Sequence, residues 1–178
     1  LRFDRDPYSW RSKSSQLLRR KQLIIGSVLF HLGILVVLGG HVVGLLTPIV
    51  VFDTLGISHE VKQILAMTAG GIAGVFCFVG LLMLLHRRLF DPRIRATSSF
   101  ADIAVLVILL IQLCLGLWTI TVSIHHLDGH EMVKFMEWAQ HIITFRSGAY
   151  EYIVDVALVF KLHLSLGLFI LFIWPFTR

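Results

Sequence analysis

Charge is scarce in this chain of 178 residues: Asp, Glu, Lys and Arg make up only 15% of it, while 56% is hydrophobic. An average soluble domain carries roughly 25% charged residues, so the shortage excludes an ordinary water-soluble globule and describes a protein solvated by lipid. Cysteine is nearly absent too. Cys77 and Cys114 each lie deep in an apolar run, which excludes a disulfide framework and the paired spacing of a zinc site, and both read as packing residues. Residues 1–21 are polar and basic and lack the apolar core of a signal peptide. The chain has no initiating Met and stops at Arg178 directly after an apolar run. It reads as one membrane domain, residues 1–178, truncated at both ends. The net charge of +5 and pI near 9.6 do not indicate nucleic acid, because the basic residues fall between apolar runs and not on one polar face.

Four stretches are almost free of Asp, Glu, Lys and Arg: residues 22–52, 63–86, 103–127, and 156–177 with Lys161 as its exception. Each supplies the roughly 20 helical residues that cross a hydrocarbon core of about 30 Å. Every backbone polar group must be paired internally in hydrocarbon, so each run is expected to be a helix. The fold class that follows is all-α, an integral membrane bundle with four transmembrane helices. Basic residues are retained on the cytoplasmic side, and they alternate along the chain. Arg2, Arg5, Arg11, Lys13, Arg19, Arg20 and Lys21 precede the first run, and Arg87, Arg88, Arg93 and Arg95 lie in the second link; the first link holds only Lys62, and the third holds two basic residues against five acids. This predicts a cytoplasmic amino-terminal end, first and third links outside, and Arg178 back inside. Within the third link, residues 130–145 space Met132, Val133, Met136, Ala139, Ile142 and Ile143 along one helical side. That pattern predicts a short amphipathic helix at the outer interface, a lid over the bundle.

Ionisable and coordinating side chains inside a membrane are costly and are functional candidates by default. Of nine histidines, His31 and His41 lie within the first run and His163 within the last. Neutral imidazole is the usual axial ligand of a b-type haem, one from each of two helices. His41 and His163 share the outer half of the membrane in this topology, so they can sandwich one haem iron. His31 lies ten residues before His41, about 15 Å deeper and rotated by about 80°, a separation that suits a second, stacked haem. Residues 164–178 hold no partner for it, so either the missing ligand lies beyond Arg178 or one haem is bound. His86 adjoins Arg87 and Arg88 and reads as interfacial. The bland reading of any one of these histidines is a hydrogen-bonding residue in helix packing. Gly33, Gly39, Gly40 and Gly44 around His31 and His41, with Gly167 one turn after His163, make room for a macrocycle or merely allow close packing, as Gly70, Gly71 and Gly74 are expected to do. His125, His126, His130 and His141 match no strong metal motif and read as interfacial. Lys161 is placed to meet a haem propionate or to snorkel outward, and Lys62 to donate to a quinone carbonyl or to snorkel. Snorkelling is the simpler account of both.

Several blocks of the sequence resemble the gamma-subunit family of membrane-bound respiratory nitrate reductases, which are di-haem b-type cytochromes. They are SSQLLRRK at 14–21, FHLGIL at 30–35, GHVVGLLTP at 40–48, EVKQ at 60–63, RRLFDPRIRAT at 87–97, WAQ at 138–140 and FKLHLSLG at 160–167. The resemblance runs over essentially the whole chain. It implies five helices in the intact protein and two haems b, the outer, distal one held by His41 and His163. It further implies that His31 is a ligand of the proximal haem, whose partner this sequence lacks, and that Lys62 and Gly40 belong to a quinol site. The implied activity is oxidation of menaquinol or ubiquinol near the outer face of the bacterial cytoplasmic (inner) membrane, with proton release outward. Electrons would pass through the two haems to an iron–sulfur beta subunit and a molybdenum alpha subunit on the cytoplasmic side, where nitrate becomes nitrite. No nitrate chemistry would reside in this chain.

Other readings remain at this stage. A b-type cytochrome subunit of another quinol-linked reductase differs only in its acceptor, and the EVKQ and RRLFDPRIRAT blocks favour nitrate reductase. A haem-free anchor would leave His31, His41 and His163 dispensable. A transporter is disfavoured, because four helices without an internal repeat offer little to rock.

Overall fold

A computed structural model describes residues 17–176, which contain no strand. The basic residues Arg2, Arg5, Arg11 and Lys13, the first three residues of the SSQLLRRK block, and Thr177 and Arg178 lie outside the described residues. Seven helices follow in order: α1 Arg20–Leu46, α2 Ile49–Thr54, α3 His59–Phe90, α4 Pro92–Thr97, α5 Phe100–Ser123, α6 His130–Ile143 and α7 Leu158–Ile173. Short 3-10 turns occupy Ala149–Ile153 and Trp174–Phe176. The segments long and apolar enough to cross a membrane are α1, α3, α5 and Leu158–Phe176, so the four expected spans are present. Their large apolar side chains point outward, among them Leu35, Leu65, Leu171 and Phe172. In water that arrangement would be ruinous; in lipid the tails cover it.

Local chemistry sets the helix ends. The first apolar run was expected to be helical to residue 52, but α1 stops at Leu46. Thr47 is extended (φ −75°, ψ 124°) because the ring of Pro48 disfavours a helical residue before it; Pro48 then starts α2. The Ser58 side chain accepts from the Val61 N–H and opens α3, with Glu60 in the first turn and Arg87 and Arg88 in the last. These charges complement the helix dipole at both ends. Asp91 accepts from the backbone N–H groups of Arg93 and Ile94 at the start of α4, and Arg19 binds the same carboxylate at 2.8 Å. A reciprocal capping box, Ser99 with Asp102, opens α5.

The bundle is built from neighbouring pairs: α1 packs on α3, α3 on α5 and α5 on α7, with α6 laid against α1 and α3. The first pair is the tightest. A Cβ on Gly33 would stand 2.6 Å from both Ala73 O and Cys77 N, and one on Gly80 would press into the Phe30 backbone and lie 2.7 Å from Gly26 O. The two backbones therefore cross almost in contact, the membrane use of small residues. Cys77 is buried there as expected, but Cys114 is exposed on α5, so its packing role is corrected to a lipid-facing one. Gly74 accepts Leu117 of α5, while Gly70 has open space beside it, contrary to its expected packing role. The amphipathic helix is present as α6, shorter than the expected 130–145. Met136, Trp138 and Ala139 are buried, whereas Ile142 and Ile143 of the expected apolar side are exposed.

Candidate functional site

Among the described residues the α1–α7 seam is not closed by helix packing. Across it, the rings of His41 and His163 face each other with centroids 6.2 Å apart and planes inclined by 42°. Two metal–imidazole bonds of about 2.0–2.1 Å, plus roughly 1.1 Å from each nitrogen to its ring centre, put two imidazoles on opposite sides of one ion about 6.2–6.4 Å apart. The observed spacing matches that figure. A Cβ built on Gly40 or Gly44 meets nothing within 4 Å, so α1 leaves open space at the positions flanking His41; Gly39 is open too but lies about 160° around the helix from it. By contrast Gly33, for which room for a macrocycle and close packing were both open, serves close packing at the α3 crossing. The spacing and the open space fit a planar, metal-carrying group that these two residues would hold between them.

The two rings are held differently. Nδ1 of His41 lies 2.7 Å from Val37 O; a carbonyl only accepts, so Nδ1 carries the proton and the Nε2 lone pair of the neutral ring is left for a ligand. His31 makes the same contact with Ser27 O at 2.7 Å. His141 does so with Glu137 O, so the bond alone is not diagnostic. What distinguishes His41 is the second imidazole opposite. His31 instead meets Phe30 edge-on, and among the described residues no imidazole faces it. His163 lacks a comparable bond, because its buried Nδ1 has no hydrogen-bond partner. Its neighbours come from α5: the ring lies on Gly116, and Gln112 Nε2 donates to the His163 carbonyl at 3.0 Å. The sequence reading passed over both residues, although a Gln and a Gly four apart in an otherwise apolar run share one helical face.

Lys62 corrects the snorkelling account. It is 6% exposed and turned into the junction of α1, α2, α3 and α6, where its Nζ donates to Gly44 O at 3.1 Å, lies 2.6 Å from Met136 Sδ and sits 4.0 Å from the centre of the Phe52 ring. Gly44 O is one of the last four carbonyls of α1, which no helical N–H can reach. Beside it, Gln140 Nε2 donates to Leu45 O and Thr47 O, so two side chains cap the end of the helix that carries His41 and Gly40. Lys161 turns toward the third link, donating to Val154 O. His86 stands near Gln22 and Phe90 at the far end of α3. Among the described residues no group of three or more His, Cys, Asp or Glu is placed to hold a bare metal ion, and His141 packs on Tyr152.

The family model for the nitrate reductase gamma subunit matches residues 1–178. The chain is 48% identical over 178 residues to the respiratory nitrate reductase 1 gamma chain of Escherichia coli K12, covering 100% of this chain and 79% of that protein. Over 177 residues it is 41% identical to the nitrate reductase gamma chain of Bacillus subtilis 168, covering 99% and 79%.

Proposed function

The chain belongs to the nitrate reductase gamma subunit family, and from that premise we propose that it is the quinol-oxidising b-type cytochrome subunit of the complex. The family makes it a multi-pass membrane subunit of an oxidoreductase. The observation that carries the finer reading is the pair of imidazoles, His41 and His163, facing across the open seam at 6.2 Å. These two residues would hold the iron of one haem b. His31, with Nδ1 already tied to Ser27 O, would offer Nε2 to a second. When bound, such a haem takes up and passes on single electrons at a potential set by its ligands and surroundings.

The other residues bind and orient. Val37 O fixes the His41 tautomer, so ligand geometry is set before the cofactor arrives. Lys62 has three donor hydrogens; Gly44 O and Met136 Sδ engage two, and the Phe52 ring beside Nζ is the weaker partner that a quinol oxygen would replace. Gly40, without a side chain and with nothing around its Cβ position, lets a flat ring approach the α1 backbone. The acceptors are proposed to be an iron–sulfur beta subunit and a molybdenum alpha subunit on the cytoplasmic side of the inner membrane. The basic residues of the second link and the amino-terminal segment support that orientation. Reduced-minus-oxidised spectra with haem quantitation, on membranes holding the full-length protein and its His41→Ala and His163→Ala variants, test the reading. Loss of the same b-type haem from both variants is expected. A wild type without haem would leave the chain as an anchor for soluble subunits.

A further inference from the structure

Helices α5 and α7 meet in an antiparallel register that pairs His163 with Gly116 and Gly167 with Gln112. On one rung a Cβ added to Gly116 would stand 2.9 Å from Cε1 of the His163 ring and 3.5 and 3.6 Å from its nitrogens. On the next, a Cβ added to Gly167 would stand 3.1 Å from Gln112 Nε2. Each rung sets one large side chain on one glycine, with the large residue on alternate helices. The Gln112 amide then ties the rungs together by donating to the His163 carbonyl at 3.0 Å. Gln112 and Gly116 are one helical turn apart on α5, as are His163 and Gly167 on α7, so the four residues interlock as a single patch.

This patch matters because the His163 imidazole has no hydrogen bond at its buried Nδ1. A ligand histidine is ordinarily oriented by a partner on its second nitrogen, as His41 is by Val37 O. For His163 the contacts are steric: the Cε1 side of the ring against Gly116, and a backbone turn held by Gln112. We propose that Gly116 and Gln112 are positioning residues that set the plane of the His163 ring relative to that of His41, now inclined at 42°. The proposal rests on the reading that these two histidines ligate one haem iron.

The inclination between two axial imidazole planes governs the splitting of the iron d orbitals, and hence the low-field g value of the oxidised low-spin haem in electron paramagnetic resonance. That value responds to ring orientation, so a change in the bundle that does not turn the ring leaves it in place. The experiment uses membranes containing the full-length protein with its partner subunits, as wild type, His163→Ala, Gly116→Ala, Gln112→Leu and Gly71→Ala. Gly71 also faces α5, but a Cβ there meets Ile120 at an ordinary 3.6 Å, so Gly71→Ala controls for a methyl at a helix contact. The expected result is loss of one low-field line in His163→Ala, displacement of that same line by more than its width in Gly116→Ala, a shifted or broadened line in Gln112→Leu, and no change in Gly71→Ala. If His163→Ala retains every line, the ligand reading itself fails. If that variant loses the line while Gly116→Ala leaves it in place, only the positioning role is overturned. Should Gly116→Ala not accumulate in the membrane, Gln112→Leu is judged by the same line, and an unchanged position and width overturns the role.

Discussion

Gly33→Ala and Gly39→Ala add the same methyl to the same helix, yet the structure assigns them opposite outcomes. At Gly33 the new Cβ would lie 2.6 Å from Ala73 O and Cys77 N and 2.8 Å from Cys77 Cβ. Two of these atoms are backbone and cannot swing aside, so α1 and α3 must part by about 0.8–1 Å to reach ordinary contact. Overpacking of this kind costs about 1–3 kcal/mol, and here it acts on the tightest crossing of the bundle. At Gly39 a Cβ meets nothing within 4 Å, and replacing a helical glycine by alanine gains up to about 1 kcal/mol of propensity. The full-length protein in mixed micelles, unfolded by a rising fraction of denaturing detergent and followed by tryptophan fluorescence, should lose stability with Gly33→Ala and hold or gain it with Gly39→Ala. Coincident unfolding curves for the two variants would refute the assignment of Gly33 to packing and Gly39 to open space.

Two further outcomes follow from single side chains. Lys62→Met should raise the KM for quinol by about 10- to 100-fold, the worth of a lost charge-assisted hydrogen bond of about 1.5–3 kcal/mol, while haem content stays at the wild-type level; an unchanged KM would return Lys62 to a purely capping role at Gly44 O. Hydrogen bonds from the Ile94 and Arg93 N–H groups, together with Arg19, hold the Asp91 carboxyl below the usual carboxylate range. A folded-state value below the unfolded one of about 3.9 stabilises fully above that pH and loses its effect as pH falls through the folded value. The stability advantage of wild type over Asp91→Asn should therefore be present at neutral pH and vanish on acidification below about pH 4. Parallel stability curves across that range would exclude the linkage.

The spans were legible in the sequence because hydrocarbon leaves the backbone no alternative: a 20-residue stretch without charge has to be helical whatever its neighbours do. The end of α1 was not read correctly, since counting charges does not register that Pro48 disfavours a helical conformation at Thr47. The candidate ligands were visible for a similar reason, as imidazoles at matching depths in an apolar setting are rare and costly. What escaped was everything decided by which face of a helix meets which neighbour. Gly33 and Gly40 look alike in the sequence, yet one is pressed against α3 and the other stands open. Cys77 and Cys114 look alike too, yet only the first is buried. Lys62 was read as snorkelling because its burial depends on α6, which brings Met136, 74 residues further on, against it.

The packing order gives these separate details one physical sense. Glycine crossings bind α1 to α3, and the interlocked rungs of Gln112, Gly116, His163 and Gly167 bind α5 to α7, with the seat of Leu117 on Gly74 joining the two pairs. Closing the remaining seam between α1 and α7 by further small residues would have brought the His41 and His163 rings into contact. Leaving it open keeps them at the spacing of two ligands on one ion, and anchors each ring from behind by a different device, a carbonyl of its own helix for His41 and the face of α5 for His163. Fixing the two imidazoles independently means that a disturbance of α5 reaches one ring without moving the other. On the proposed ligand reading, the angle between the rings would be a more sensitive report on α5 than iron content.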